Sequence, residues 1–390
     1  MKRICFVVDS IFSIGGVQRV TAVIAKELAK DYSVTILTFD KPETKDTSFY
    51  ELQEANINYR FFSYPAKKEW KRKICKTYSA LYLKLQPQTK WASDLYAKSS
   101  FPSELRNALA TELIQGNYDV IIGVHAPLAA RLATLRPMLP NVKLIGWIHN
   151  SFEALFGEAS RYIGTERERH YIYQFKKLDK TIVLCHHDAE TYQHFYPSFS
   201  PTVIYNPLTL KPGKPSNGTS KRFLAVGRFS QKHKGFDLLI EAFHLFVQNN
   251  KEWNLDIVGE GVEEGFYRSL IKKYQLEDRI TIYPFTNNIQ AFYSNAQIYV
   301  LSSRWEGFGL VLVEAMAHGL PIISSDLPTS IEIMGDFGFY FKNGDIQDLA
   351  QRLIDATIID WEEKSRKAFT VAKKFDLEHI IEKWKRLIED

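Results

Sequence analysis

A repeated rhythm constrains this chain most. Short apolar runs alternate with stretches whose apolar residues recur at helical spacing, and near Pro201 the rhythm breaks and restarts. In the first half RICFVVD ends at a loop holding Gly15 and Gly16, VQRVTAVIAKELAK follows at helical spacing, and YSVTILTF, YDVIIGVH, VKLIGWIH and DKTIVLC are further strand-like runs. Such runs, joined by helices, predict a mostly parallel sheet covered on both faces. After IYNP the segment LTLKPGKPSNGTSK is rich in Pro, Gly, Ser and Lys and reads as surface linker. The pattern resumes with RFLAVGRF, a helix from about Gly235, then NLDIVG, ITIYPF, AQIYVL and LPIISS. The expected architecture is α/β: two doubly wound, Rossmann-like domains over residues 1–205 and 206–370, facing a central cleft. Ligands of such domains bind outside the carboxyl ends of the strands. A helical segment is expected over 371–390, packing back across the domains. Its run LEHIIEKWKRLIED has the spacing to pack on a domain face, and the sequence does not say which.

The chain's 390 residues suit two cores rather than one, and 45% hydrophobic with 24% charged residues is a globular composition. A formal charge of +5 permits an anionic partner without naming one. Cys5, Cys75 and Cys185 show neither metal-ligand nor disulfide spacing, which favours a reducing compartment. The opening run ICFVVDSIFSIGG is interrupted by Asp9 and falls short of the roughly 20 apolar residues a bilayer span needs. It reads as a buried first strand, and the expected location is cytoplasmic. Residues 67–98 set a dense basic cluster, KKEWKRKICK, beside several aromatic residues. Anionic lipid headgroups and plain solvation of a surface helix are both open readings. No recognition helix or RNA-binding motif accompanies it, so nucleic acid is not an expected partner.

The candidate chemistry lies at strand ends. Gly15 and Gly16 allow a tight turn and a close backbone approach before a helix N-terminus, which favours anions. They do not make the three-glycine dinucleotide fingerprint. Arg228, and Lys234 six residues on, bracket the loop after RFLAVG. A fixed guanidinium fork with a mobile ammonium suits a diphosphate. In SSRWEGFGLVLVEAMAHGLPII, Glu306 sits in the loop after a strand, Gly307 and Gly309 flank Phe308, and Glu314 lies within an apolar helix. A carboxylate there needs a partner, either a basic side chain or a ribose diol. His149 ends VKLIGWIH, where it can donate to sugar or phosphate oxygens or serve structurally. His125, His186 and His187 also stand at strand ends, without the spacing of a zinc site.

Taken in order, these elements resemble a glycosyltransferase of family 4, the retaining group with the two-domain GT-B fold. The resemblance spans nearly the whole chain, and its most specific part is the pair Glu306 and Glu314 with seven residues between. It implies that Arg228 and Lys234 bind the donor diphosphate and stabilise the departing charge. Glu314 would hold the nucleotide ribose, and Glu306 the donor sugar hydroxyls with backbone groups of Gly307, Phe308, Gly309 and Leu310. His149 would contact the sugar or support charge on the reacting face, and Gly15 and Gly16 would approach the donor phosphate or the acceptor. The family needs no bound metal and no cofactor beyond a nucleotide diphosphate sugar, with UDP the favoured carrier and GDP next. The acceptor would be a glycan or a lipid-linked saccharide, reached by a peripheral enzyme on the cytoplasmic face of the membrane. Trp305 departs from the smaller aromatic common at that position. Rival readings are a glycogen- or starch-synthase-like enzyme acting on a soluble polymer, a nucleotide-sugar epimerase, and a non-catalytic nucleotide-sugar-binding protein.

Overall fold

β-Branched and aliphatic runs become the inner strands of two parallel sheets in the computed structural model, which describes residues 1–65, 69–87, 89–157, 162–211, 213–230 and 233–390. Met1–Tyr205 with Ile380–Asp390 forms one unit, and Asn206–His379 forms the other.

The first unit holds β1 (Arg3–Val8), β2 (Ser33–Thr38), β3 (Ile57–Phe61), β4 (Val120–Val124), β5 (Lys143–Trp147), β6 (Lys180–Val183) and β7 (Thr202–Val203), in sheet order β3-β2-β1-β4-β5-β6-β7. The second holds β8 (Arg222–Val226), β9 (Asn254–Val258), β10 (Ile280–Tyr283), β11 (Ile298–Leu301), β12 (Ile322–Ser325) and β13 (Phe339–Phe341), in order β10-β9-β8-β11-β12-β13. Neighbouring strands pair parallel in both sheets. In each, the strand order reverses beside the unit's first strand, between β1 and β4 and between β8 and β11. Loops leaving the carboxyl ends of such a pair diverge and open the crevice where doubly wound sheets take their ligands. The α/β architecture is the one the alternating pattern predicts.

Each unit has its own core. Leu109, Leu113, Ile121, Leu144, Phe175 and Tyr192 belong to the first. In the second, Phe223 stacks on Trp253 with centroids 4.6 Å apart, inside a cluster with Phe243, Phe246, Ile257 and Tyr267. The last helix, Leu377–Glu389, packs its stripe of Ile380, Ile381, Trp384, Leu387 and Ile388 on the first unit. Trp384 lies edge-on to Trp147 at 4.7 Å, and Lys2 donates to the carbonyl of Ile388 at 3.0 Å.

Helices at Glu69–Leu85, Lys90–Ser100 and Ser103–Gly116 occupy the chain between β3 and β4. Lys67 and Lys68 of the basic run lie outside the described residues, as do the side chains of residues 69–72. On the helix Glu168–Phe175, His170 is buried with its Nδ1 3.0 Å from Ser93 Oγ and its ring edge-on to Tyr96. Burial pushes the His170 pKa down to about 4. An unfolded histidine titrates near 6.5, so below that pH the unfolded chain takes up a proton the folded one refuses. The stabilisation is complete above about pH 6.5 and is lost as pH falls toward 4. The expected loss from this residue is about 3 kcal/mol. His170→Asn keeps a hydrogen-bonding group for Ser93 and removes the titration. Its urea midpoint should therefore fall less steeply than the wild type's over that window, and equal slopes would dismiss His170 as the source.

Candidate active site

The second sheet brings its polar loops together at the β8/β11 reversal. The loop after β8 carries Gly227, Arg228 and, before the helix Phe236–Val247, Lys234 and Gly235. The loop after β11 carries Ser302 to Gly309 and leads into the helix Leu310–Ala317. Lys234 Nζ donates to Glu306 Oε1, forming an ion pair whose side chains are only 14% and 10% exposed. Ser303 Oγ donates to the same oxygen at 2.7 Å. Burial alone would raise the Glu306 pKa, but the Lys234 ammonium, with Ser303 and His233 helping, holds it below the ordinary glutamate value. Glu306 is therefore a carboxylate at neutral pH. A Cβ added to Gly227 would stand 3.0 Å from the Lys234 stem. The lysine thus runs beside the backbone that leads into Arg228, whose side chain is exposed.

Neighbouring bonds fix both loops. Ser302 Oγ donates to the carbonyl of Lys234 at 2.8 Å, and the Arg304 N–H donates to the carbonyl of His233 at 2.7 Å. The Arg304 guanidinium grips both oxygens of Asp237, at 2.8 Å each, and so ties the loop to the first turn of the facing helix. Trp305 lies 5.7 Å from the His233 ring, which gives its large indole a packing partner. Gly309, at φ +80°, caps the helix that Leu310 opens, and buried Phe308 sits edge-on to Phe375 at 5.8 Å.

Glu314 is 2% exposed, in the interior of that helix. Its Oε2 accepts from Tyr293 Oη at 2.8 Å. His318, one turn on, stacks on Tyr293 with centroids 5.0 Å apart. Its Nδ1 faces the carbonyl of Glu314 at 2.8 Å, and its Nε2 lies 3.1 Å from the Gly213 N–H. A carbonyl can only accept and an amide N–H only donate, so His318 is the neutral Nδ1–H tautomer. Burial also lowers its pKa. Through His318, linker residue Gly213 is bonded to the helix that carries Glu314.

In the first unit, the loop after β1 is drawn together by a carboxylate and a phenol. Burial would raise the Asp40 pKa, but donors including the N–H of Ile11 at 2.8 Å and the Thr38 hydroxyl at 2.8 Å hold it below the ordinary aspartate value. Tyr50 Oη accepts from the Gly15 N–H at 2.9 Å and donates to the carbonyl of Ser13 at 2.8 Å. Gly15 precedes the helix Gly16–Leu28 with no side-chain cap. After β4, His125 sits at φ +77°, a conformation costly for a residue with a Cβ and concentrated at functional sites. His149, just past β5, is buried, 4.3 Å from the Trp147 ring and 5.4 Å from His125. Among the described residues its Nε2 has no hydrogen-bond partner. Burial, reinforced by His125, pushes its pKa well below the ordinary histidine value. It is a neutral imidazole at physiological pH, able to offer a hydrogen bond but not a resident positive charge.

Lys234 and Glu306 are thus brought into contact, with Gly307 to Leu310 in the same loop and helix start. Glu314 lies further along that helix, on Tyr293. Gly15, Gly16 and His149 belong to the first unit and take no part in these contacts. Tyr293, Ser303, His318 and Tyr50 were not singled out from the sequence. His318 carried a faint signal, four residues after Glu314 on one helix. Tyr293 carried none, because it reaches Glu314 from another element. Among the described residues no three His, Cys, Asp or Glu side chains group as a metal site needs.

Two parallel sheets of matching strand order, with cation and carboxylate at the carboxyl edge of the second, are the arrangement of the GT-B fold. A family model described as Glycosyltransferase Family 4 matches residues 14–211, and one described as Glycosyl transferases group 1 matches residues 209–374. The chain belongs to glycosyltransferase family 4. An uncharacterized glycosyltransferase of Haemophilus influenzae is 28% identical over 398 residues, covering 100% of both chains. The O-antigen biosynthesis glycosyltransferase WclY of Escherichia coli is 27% identical over 55% of this chain and 57% of its own length. In three dimensions, Anabaena HepE, solved in complex with UDP, superposes with a TM-score of 0.75 at 19% identity over 100% of both chains.

Proposed function

We propose that this glycosyltransferase is a retaining enzyme that moves a hexose or N-acetylhexosamine from a UDP-sugar to a sugar hydroxyl of a glycan or lipid-linked acceptor. The Lys234–Glu306 pair at the carboxyl edge of β8 and β11 carries the reading. The leaving group is a nucleoside diphosphate, so the greatest need in the transition state is fixed positive charge. Arg228 supplies a forked donor and Lys234 a point charge aimed by its carboxylate partner. Both Lys234 and Ser303 engage Oε1 of Glu306, which among the described residues leaves Oε2 as acceptor for a donor-sugar hydroxyl. Backbone N–H groups of Gly307, Phe308, Gly309 and Leu310 add donors, and Glu314, steadied by Tyr293, accepts from the ribose diol. His149 offers its neutral imidazole to the sugar, and Gly15 and Gly16 let phosphate or acceptor approach closely.

In the proposed step the bond from the anomeric carbon to the leaving phosphate oxygen breaks. The acceptor oxygen bonds to that carbon from the same face, and its proton passes to the departing phosphate oxygen. No metal is needed in this scheme, because the two cations take that part. UDP is favoured as carrier by HepE, solved with UDP, and a surface-glycan acceptor by the O-antigen role in the name of WclY. Such an acceptor places the enzyme at the cytoplasmic face of the membrane as a peripheral protein. Among the described residues no helix is long and apolar enough to cross one.

Calorimetric titration with UDP and GDP, in chelator, tests the donor assignment. UDP should bind, and Arg228→Ala should weaken it about 10- to 100-fold, the worth of a charge-assisted hydrogen bond to phosphate. A preference for GDP would redirect the search to GDP-sugars. Binding of neither nucleotide by the folded protein would sink the assignment.

A further inference from the structure

The helix Glu69–Leu85 is only half accounted for by packing. One side meets the helix Lys90–Ser100, where Tyr82 stacks on Tyr96 at 4.4 Å, Ser79 Oγ lies 2.9 Å from Ser99 Oγ, and Tyr78 Oη donates to the carbonyl of Ala92 at 3.2 Å. Another side displays Ile74, Leu81 and Leu85, which are 62%, 49% and 66% exposed. Spacings of seven and four residues put these three on one stripe of the helix. Trp91, at the start of the next helix, is 73% exposed. A run of large apolar side chains left in water is costly unless something covers it.

The charge around the stripe says what covers it. Lys73, Lys76 and Lys84 are exposed on the same helix, and Lys90 is exposed beside Trp91. Residues 67–93 contain eight Lys or Arg and one acidic residue, Glu69. On the adjoining helix Asp94 is paired with Lys177, so that carboxylate is already neutralised. A second copy of the chain would bring an equally basic surface against this one and be repelled. A negatively charged, apolar-cored surface complements both features: lysines at the headgroups, Ile, Leu and Trp at the acyl boundary.

We infer that the helix Glu69–Leu85, with Trp91, is a docking face for an anionic lipid bilayer, its stripe of Ile74, Leu81 and Leu85 entering the interface. Apolar insertion and lysine attraction act together, and either alone gives only weak, reversible attachment. The inference deepens the proposed work on membrane-borne acceptors and rests on it for its purpose. Its test needs neither donor nor acceptor, so transfer and docking can fail separately.

The experiment is co-sedimentation of the full chain with vesicles of phosphatidylcholine alone or mixed with phosphatidylglycerol, at low and high salt. Wild type should pellet with the anionic vesicles, release with salt, and stay in solution with the neutral ones. The double variant Leu81→Ser/Leu85→Ser should lose about tenfold or more of the vesicle affinity, as should Lys76→Glu/Lys84→Glu. Both should keep the wild type's circular-dichroism spectrum and thermal midpoint, which shows them folded. Failure of the wild type to pellet, equal binding to neutral vesicles, or undiminished binding by both variants would each overturn the docking face. A concentration-dependent dimer abolished by Leu81→Ser/Leu85→Ser would overturn it in favour of self-association.

Discussion

Lys234→Met should lower kcat about 100- to 1000-fold, the usual loss when one preorganised partner of developing charge is removed. It should also unfold more easily, because the variant strands Glu306. The two side chains are 14% and 10% exposed, and breaking a buried pair from one side costs about 3–5 kcal/mol. A single variant therefore confuses chemistry with folding. Adding Glu306→Gln separates them. The double variant Lys234→Met/Glu306→Gln removes the orphaned charge and should recover most of the thermal midpoint, while its kcat stays low. If kcat recovers along with stability, Lys234 is a structural counter-ion and the diphosphate role fails. The pH response has a definite sign. Glu306 titrates below its ordinary value of 4.5, so the pair's stabilisation is intact above that pH and is lost as pH falls through the folded value. Glu306→Gln should flatten that part of the acid-denaturation curve.

How much of this was written in the sequence depended on whether neighbours were needed to read it. The inner strands RICFVV, VIIGV, RFLAV and IYVL announce themselves, because a strand buried on both faces must be apolar throughout. The edge strands do not. β3 is half exposed over INYRF, β7 is two residues long, and β13 is three, so none could be told from loop by composition. Glu306 and Glu314 stood out as carboxylates in apolar surroundings, yet their protein partners did not. Lys234 meets Glu306 because β8 and β11 are neighbours, and Tyr293 meets Glu314 from a separate helix. A period of 3.6 marked the last helix as amphipathic without naming its host. The host was decided by Trp384 meeting Trp147 and Phe6, far away in the chain.

Gly235→Ala should cost the second unit about 2–5 kcal/mol, a drop of order 10 °C in its thermal midpoint. Two penalties combine. Gly235 sits at φ +63°, where a side chain is disfavoured, and an added Cβ would stand 1.9 Å from the carbonyl oxygen of Ser302. That oxygen cannot retreat freely, since Ser302 is buried and its own hydroxyl is bonded to the carbonyl of Lys234. Gly344 provides the control. It has φ +85° with nothing within 4 Å of its would-be Cβ, so Gly344→Ala carries the backbone penalty alone and should cost only about 1–2 kcal/mol. The contact at Ser302 also couples stability to chemistry. Pushing the β8 and β11 loops apart shifts Lys234 relative to Glu306, and a displacement near 1 Å is enough to cost about 100-fold in rate. Folded Gly235→Ala, measured below its melting range, should therefore turn over far more slowly than folded Gly344→Ala. Equal midpoints for the two variants would mean the loops have slack. The close approach of Gly235 to Ser302 would then not be what holds the cation in place.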